Sequence, residues 1–140
     1  MENNHVENNQ MKNEIEKLQK QMKKLAKEFE ACQKTLIALG DENRQQILIT
    51  LLKNYGGMRV GDITEHTRLS RPAVSHHLKI LKEAGMINMY KRGTMNFYHV
   101  DADKKQWEQL TELVVHSNEL VKEVSKKRES GMSCPFSGET

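Results

Sequence analysis

Apolar residues first recur in a regular series at Met11, Ile15, Leu18, Met22, Leu25, Phe29, Cys32, Leu36 and Leu39. The steps alternate four and three, the heptad seam of a helix that packs lengthwise on another helix. Lys, Glu and Gln, all good helix formers, dominate the positions between, and no Pro or Gly interrupts the run before Gly40. The pattern predicts one long helix over 11–40 whose narrow apolar stripe needs a helical partner. Residues 1–10 are Asn-rich and show no such series, so they are expected to be disordered.

Past Gly40 the period changes. Asp41 or Asn43 stands where an N-cap is wanted, and Ile47, Leu48, Leu51 and Leu52 form one helical face. Tyr55-Gly56-Gly57 breaks that helix. Val60–His66 then reads as a short helix with Val60 and Ile63 inward. A tight turn leads to Ser70, an N-cap candidate, with Pro72 in the first turn, where its missing N–H costs nothing. Gly85 closes this helix as a residue suited to the left-handed cap position. Met86–Tyr90 and Met95–Val100 flank Lys91-Arg92-Gly93-Thr94 and predict a β-hairpin with Lys91 and Arg92 at its tip. Asp101 or Asp103 is expected to cap a last helix over 102–128, with Trp107, Leu110, Val114, Val121 and Val124 at helical spacing. Residues 129–140, containing Gly131, Pro135 and Gly138, read as a flexible tail. The fold class is therefore mainly α with a small β-hairpin: a winged helix-turn-helix over 41–101, between a long first helix and a long last one.

Charge changes this picture more than composition does. Arg68, Arg71, Lys79, Lys82, Lys91 and Arg92 face one acid, Glu83, between positions 68 and 92, a surplus of five in a chain of net charge +3. A basic segment in an otherwise slightly acidic chain suits a phosphate backbone. No run of apolar residues is long enough for a membrane span, and the polar N-terminus offers no secretory signal, so a cytoplasmic protein is expected. Cys32 and Cys134 stand far apart, with no CxxC spacing, as in a reducing compartment. Enzymatic signatures (a Gly-rich phosphate loop, HExxH, GxSxG) are missing, and His76 and His77, being adjacent, point different ways from a helix. No catalytic residue is expected.

At about 100° per residue, Val74, Leu78 and Leu81 fall on one side of the capped helix. Arg71, Ser75, His76 and Lys79 fall towards the other, with Glu83 the only acid. Arg and Lys suit guanine edges and phosphates, and Ser and His add shorter hydrogen-bonding groups. The DNA-binding set expected from this pattern is Ser70, Arg71, Ser75, His76, Lys79 and Lys82, with Lys91 and Arg92 from the hairpin. The alternative is a coiled-coil adaptor whose winged helix binds protein instead of DNA.

Three stretches then carry a resemblance. Ala-Leu-Gly-Asp-Glu-Asn-Arg-Gln-Gln-Ile-Leu (38–48), Ser-Arg-Pro-Ala-Val-Ser-His-His-Leu-Lys-Ile-Leu-Lys-Glu-Ala-Gly-Met-Ile (70–87) and Asn96-Phe97-Tyr98-His99-Val100 resemble the ArsR/SmtB family of bacterial repressors. The resemblance implies a homodimer joined through its first and last helices, bound to an inverted-repeat operator on double-stranded DNA and released by a signal. It also implies where a metal would sit. The thiolate site of the family lies on the short helix before the recognition helix, and Met58–Ile63 holds no Cys. The site on the last helix would fall at Asp103, Lys105, His116 and Glu119, where Lys105 replaces a His ligand. An ammonium group is a poor zinc donor, so no metal and no cofactor are expected. Some relatives respond to oxidants through two cysteines, and the pair this chain offers is Cys32 and Cys134. The effector is left open.

Overall fold

The computed structural model describes residues 2–100 and 104–131. The elements run α1 (Glu2–Ala31), α2 (Gln33–Leu39), α3 (Glu42–Lys53), α4 (Val60–Glu65), α5 (Arg71–Glu83), β1 (Asn88–Arg92), β2 (Met95–His99) and α6 (Lys104–Glu129). Two compact units divide them: α1 through Glu30 with the chain from Glu112 onward, and residues 31–111. The second unit is wider than the 41–101 expected from the sequence, because it takes in α2 and the start of α6.

The core of the 31–111 unit gathers one face from each element. Ala38 comes from α2, Ile47, Leu48 and Leu51 from α3, Ile63 from α4, Val74, Leu78 and Leu81 from α5, and Met86 and Ile87 from the approach to β1. Each end of α5 is closed as its residue types predict. The Ser70 side chain accepts a hydrogen bond from the Ala73 amide at 3.3 Å. At the other end the Gly85 amide donates to the Lys82 carbonyl and the Met86 amide to the Leu81 carbonyl, the paired bonds of a Schellman motif. Gly85 has φ +76°, and a Cβ there would come within 2.7 Å of Gln106 Cγ, so both backbone and space demand glycine. Leu81 therefore anchors the core and the cap of the same helix.

The hairpin is antiparallel, with Asn88 opposite His99 and Arg92 opposite Met95. Its loop is only Gly93-Thr94, and φ of +66° at Gly93 meets the need of a two-residue hairpin turn for glycine. Lys91 and Arg92 thus lie in β1 rather than at the tip. A bridge between Met58 and Tyr98 and a 2.8 Å hydrogen bond from Tyr90 Oη to the Gly56 carbonyl fasten the hairpin to the α3–α4 loop.

In the other unit, Leu18 of α1 and Leu113 of α6 are buried. His116 Nδ1 lies 2.7 and 2.9 Å from the two carboxylate oxygens of Glu28. The unit thus has buried apolar residues and a polar contact of its own.

Four expectations need correction. Residues 2–10 continue α1 as helix instead of forming a disordered segment; extending an existing helix costs far less than starting one, so poor Asn propensity does not stop it. The expected single helix over 11–40 is interrupted at Cys32, where φ −97° and ψ 4° leave the helical region; the heptad steps run through this point unbroken and hide it. Leu52, expected on the buried face of α3, is 58% exposed. Among the described residues of α6 Leu113 is the buried one, while Val114, Val121 and Val124 are exposed. Two apolar stripes lie one residue apart there, and periodicity alone does not choose between them. The expected caps Asp101 and Asp103, and most of the expected tail including Cys134, lie outside the described residues.

Candidate nucleic-acid interface

The capped helix carries two chemically opposite faces. Val74, Leu78 and Leu81 are fully buried. Ser70 at the cap and Arg71, Ser75, His76, Lys79, Lys82 and Glu83 are all exposed. Burying three aliphatic side chains fixes which way α5 faces, and at roughly 1.5–3 kcal/mol each it is the largest local term. The polar set is left outward as a consequence. With five basic or hydrogen-bonding side chains on α5 itself and Ser70 just before it, the outward strip matches what phosphates and base edges recognise.

The hairpin divides its two cations. Neighbours on a strand point to opposite faces. Lys91 pairs with Asn96, whereas Arg92 pairs with Met95 and shares its face with Tyr90 and Phe97. The rings of Tyr90 and Phe97 stack with centroids 5.3 Å apart. On that same face Arg59 Nη1 meets Met95 Sδ at 3.2 Å. Arg92 therefore has a second cation nearby, one that sequence reasoning did not place in the site. Asp62 takes hydrogen bonds from Arg59 Nε and from the Arg59 amide. These bonds, the side-chain one first, hold its carboxyl below the usual value.

Beneath the outward face lies a group that sequence reasoning also left out. Arg44 of α3 is 9% exposed. Its Nε donates to the Ala38 carbonyl at 2.8 Å, its Nη2 to the Ile37 carbonyl at 3.0 Å, and its Nη1 meets His77 Nδ1 at 3.2 Å. Asp41, the N-cap of α3, accepts from the Arg44 amide, and that bond, followed by the Arg44 charge, holds its carboxyl below the usual value. A signal was present in the sequence: Arg44, Ile47, Leu48 and Leu51 share one helical face. Read as an apolar face, it excluded the arginine.

Of the residues expected near a metal, His116 is paired with Glu28 as described, Glu119 is exposed, and Asp103 lies outside the described residues. Among the described residues no three His, Cys, Asp or Glu side chains gather as metal ligands would. Cys32 is buried. No described helix is long and apolar enough to cross a membrane.

The statistical description of one protein family, "Bacterial regulatory protein, arsR family", matches residues 41–89. An HTH-type transcriptional regulator of Methanocaldococcus jannaschii is 40% identical over 76 residues, 54% of this chain and 84% of that protein. The transcriptional repressor SdpR of Bacillus subtilis is 44% identical over 64 residues, 46% of this chain and 69% of that protein. Among solved structures, an ArsR-like transcriptional regulator from Rhodococcus sp. RHA1 superposes with a TM-score of 0.59 at 20% identity, covering 76% of this chain and 97% of that one. At that identity the likeness is one of fold: helices with a winged helix-turn-helix.

Proposed function

Since the chain belongs to the ArsR family and is a DNA-binding transcriptional regulator rather than an enzyme, we propose that it acts as a homodimeric repressor in the cytoplasm, with α5 reading an inverted-repeat operator. The observation that carries this reading is the division of α5: an apolar side with no exposure at Val74, Leu78 and Leu81, and an outward side of Arg71, Ser75, His76 and Lys79. A helix held this way presents donors and cations along one line, and its capped N-terminus adds a positive dipole end for a phosphate. Ser70 and Lys82 extend the contact along the backbone, and Lys91 and Arg92 reach the DNA beside it. SdpR is itself a repressor by name, and the same sign of regulation is proposed for this chain.

Dimerisation is supported by what α1 and α6 leave uncovered. Val114 and Val121, seven residues apart on α6, are 59% and 63% exposed. That spacing is a coiled-coil repeat, and exposed valines at such positions fit a second copy. Two copies related by a two-fold axis would present two α5 helices to two half-sites, which is why the operator is taken as an inverted repeat.

The test is a titration of the full-length dimer against the duplex it selects from a random-sequence library, at several salt concentrations. Lys79→Ala and Arg92→Ala are each expected to weaken binding and to lower the salt slope by about 1 for each phosphate that is no longer neutralised. Their melting temperatures should stay at the parent value, because both side chains are exposed. Parent-like affinity and slope in both variants would show that the DNA face lies elsewhere.

A further inference from the structure

We propose that Arg44 and His77 form a positioning pair that sets the angle of α5 against the DNA and so controls discrimination between sequences. The inference rests on the reading of α5 as the recognition helix.

A guanidinium group only donates hydrogen bonds and does not lose its charge. The nitrogen it faces must therefore accept. His77 Nδ1, at 3.2 Å from Arg44 Nη1, is then unprotonated, and a neutral ring carries its proton on Nε2. Arg44 thereby fixes both the place and the tautomer of a side chain on α5.

The other two bonds of Arg44 explain why it is a firm anchor. Ile37 and Ala38 lie in the last turn of α2. Carbonyls of a helix's last turn lack the usual i+4 amide donor; that of Ile37 accepts from the Gly40 amide at 3.3 Å, and Arg44 adds a bond to it at 3.0 Å and one to the Ala38 carbonyl at 2.8 Å. A cation at a helix C-terminus is also favoured by the helix dipole. One buried side chain thus caps α2, belongs to α3 and holds α5.

Apolar packing does not supply the same control. Val74, Leu78 and Leu81 settle which side of α5 is buried, but dispersion contacts are non-directional. His77 sits between His76 and Lys79 in sequence, so a bond at its ring pins the middle of the outward strip. Base-edge contacts require that strip to be held to fractions of an ångström. Phosphate contacts, being mainly electrostatic, tolerate more movement. Loss of the pair is therefore expected to reduce specific binding while leaving non-specific binding almost untouched.

The experiment uses the full-length chain and two probes: the duplex selected by the parent protein from a random library, and poly(dI-dC). His77→Leu removes the acceptor and keeps a similar volume. His77→Asn keeps an acceptor near the place of Nδ1. The expected result is a roughly tenfold loss on the selected duplex for His77→Leu, with binding to poly(dI-dC) within about twofold of the parent. His77→Asn should stay within about threefold of the parent on both. Should His77→Leu fail to fold by circular dichroism, His77→Gln, which moves the acceptor outward by one carbon, takes its place with the same expectations. Equal losses in the Asn and Leu variants, or equal losses on the two DNAs, would overturn the proposal. So would parent-like binding by His77→Leu. Lys79→Ala separates the positioning pair from the recognition helix that it serves. If it leaves the selected duplex bound as tightly as before, the reading of α5 itself fails; if it weakens binding while His77→Leu does not, only the positioning pair fails.

Discussion

Helices α5 and α1 follow one rule and reach opposite outcomes. Both carry an apolar stripe at helical spacing. On α5 all three stripe residues, Val74, Leu78 and Leu81, have no exposure. On α1, 30 residues long, only Leu18 of the seam through Phe29 is buried, and Met11 and Phe29 remain 49% and 46% exposed. The difference lies in what each stripe is for. α5 is short and its stripe closes the core of its own chain, so its outward face is held still. α1 spans about 45 Å at 1.5 Å per residue, and most of its seam is left partly or fully exposed. Its seam and the exposed valines of α6 are surface that a second copy would cover.

The comparison breaks first at Leu78. Leu78→Ala removes most of a side chain with no exposure. It is expected to cost about 2–5 kcal/mol, the range for such cuts in a packed core. In a protein of ordinary marginal stability that removes much of the folded population. Urea titration at two protein concentrations checks it: the loss should be the same at both once dimerisation is saturated. A loss under about 1 kcal/mol would mean that α5 is not held by its own core.

The contrasting change sits on α6. Val114→Glu with Val121→Glu places two charges on valines that are 59% and 63% exposed, so each monomer should fold as before. If those valines meet their counterparts in a second copy, the dimer dissociation constant should rise by about 100-fold, about 2.7 kcal/mol. Sedimentation velocity measures this directly. The parent should also melt at a temperature that rises with concentration, and the double variant should lose that dependence. A variant as dimeric as the parent would place the interface elsewhere and leave the exposed valines unexplained.

How much of this was legible in the sequence follows the same division. Everything local to α5 could be read: Ser70 as cap, Pro72 in the first turn, the three inward residues and the closing Gly85. These are short-range signals, each with a single mechanism. The family, too, could be read from the stretches at 38–48 and 70–87, and the matched relatives agree with it. What failed depended on geometry between elements. Leu113 and Val114 are equally apolar, and only the packing partner decides which is buried. Lys91 and Arg92 looked equivalent until the hairpin register put them on opposite faces. Arg44 was hidden because a polar residue on an apolar face is normally discounted. It is buried there because the carbonyls of Ile37 and Ala38, on the preceding helix, and the ring of His77, 33 residues further on, receive it.

The smallest effect makes the finest distinction, because Ser70 belongs to both the fold and the proposed contact. Its side chain accepts from the Ala73 amide at 3.3 Å, and its exposed position puts it beside the first turn that would meet a phosphate. Ser70→Ala removes the cap and should cost about 1 kcal/mol of stability. Ser70→Asp keeps a good capping oxygen, and its charge suits the helix dipole, so stability should stay within about 0.5 kcal/mol of the parent. On DNA the order should reverse. The aspartate sets a negative charge where a phosphate is expected, and binding should fall at least tenfold, more than in Ser70→Ala. Thermal melting and a titration against the selected duplex read the two properties separately. If stability and binding instead fall together across the two variants, Ser70 serves only to cap α5, and the DNA contact begins further along the helix, at Arg71 or Ser75.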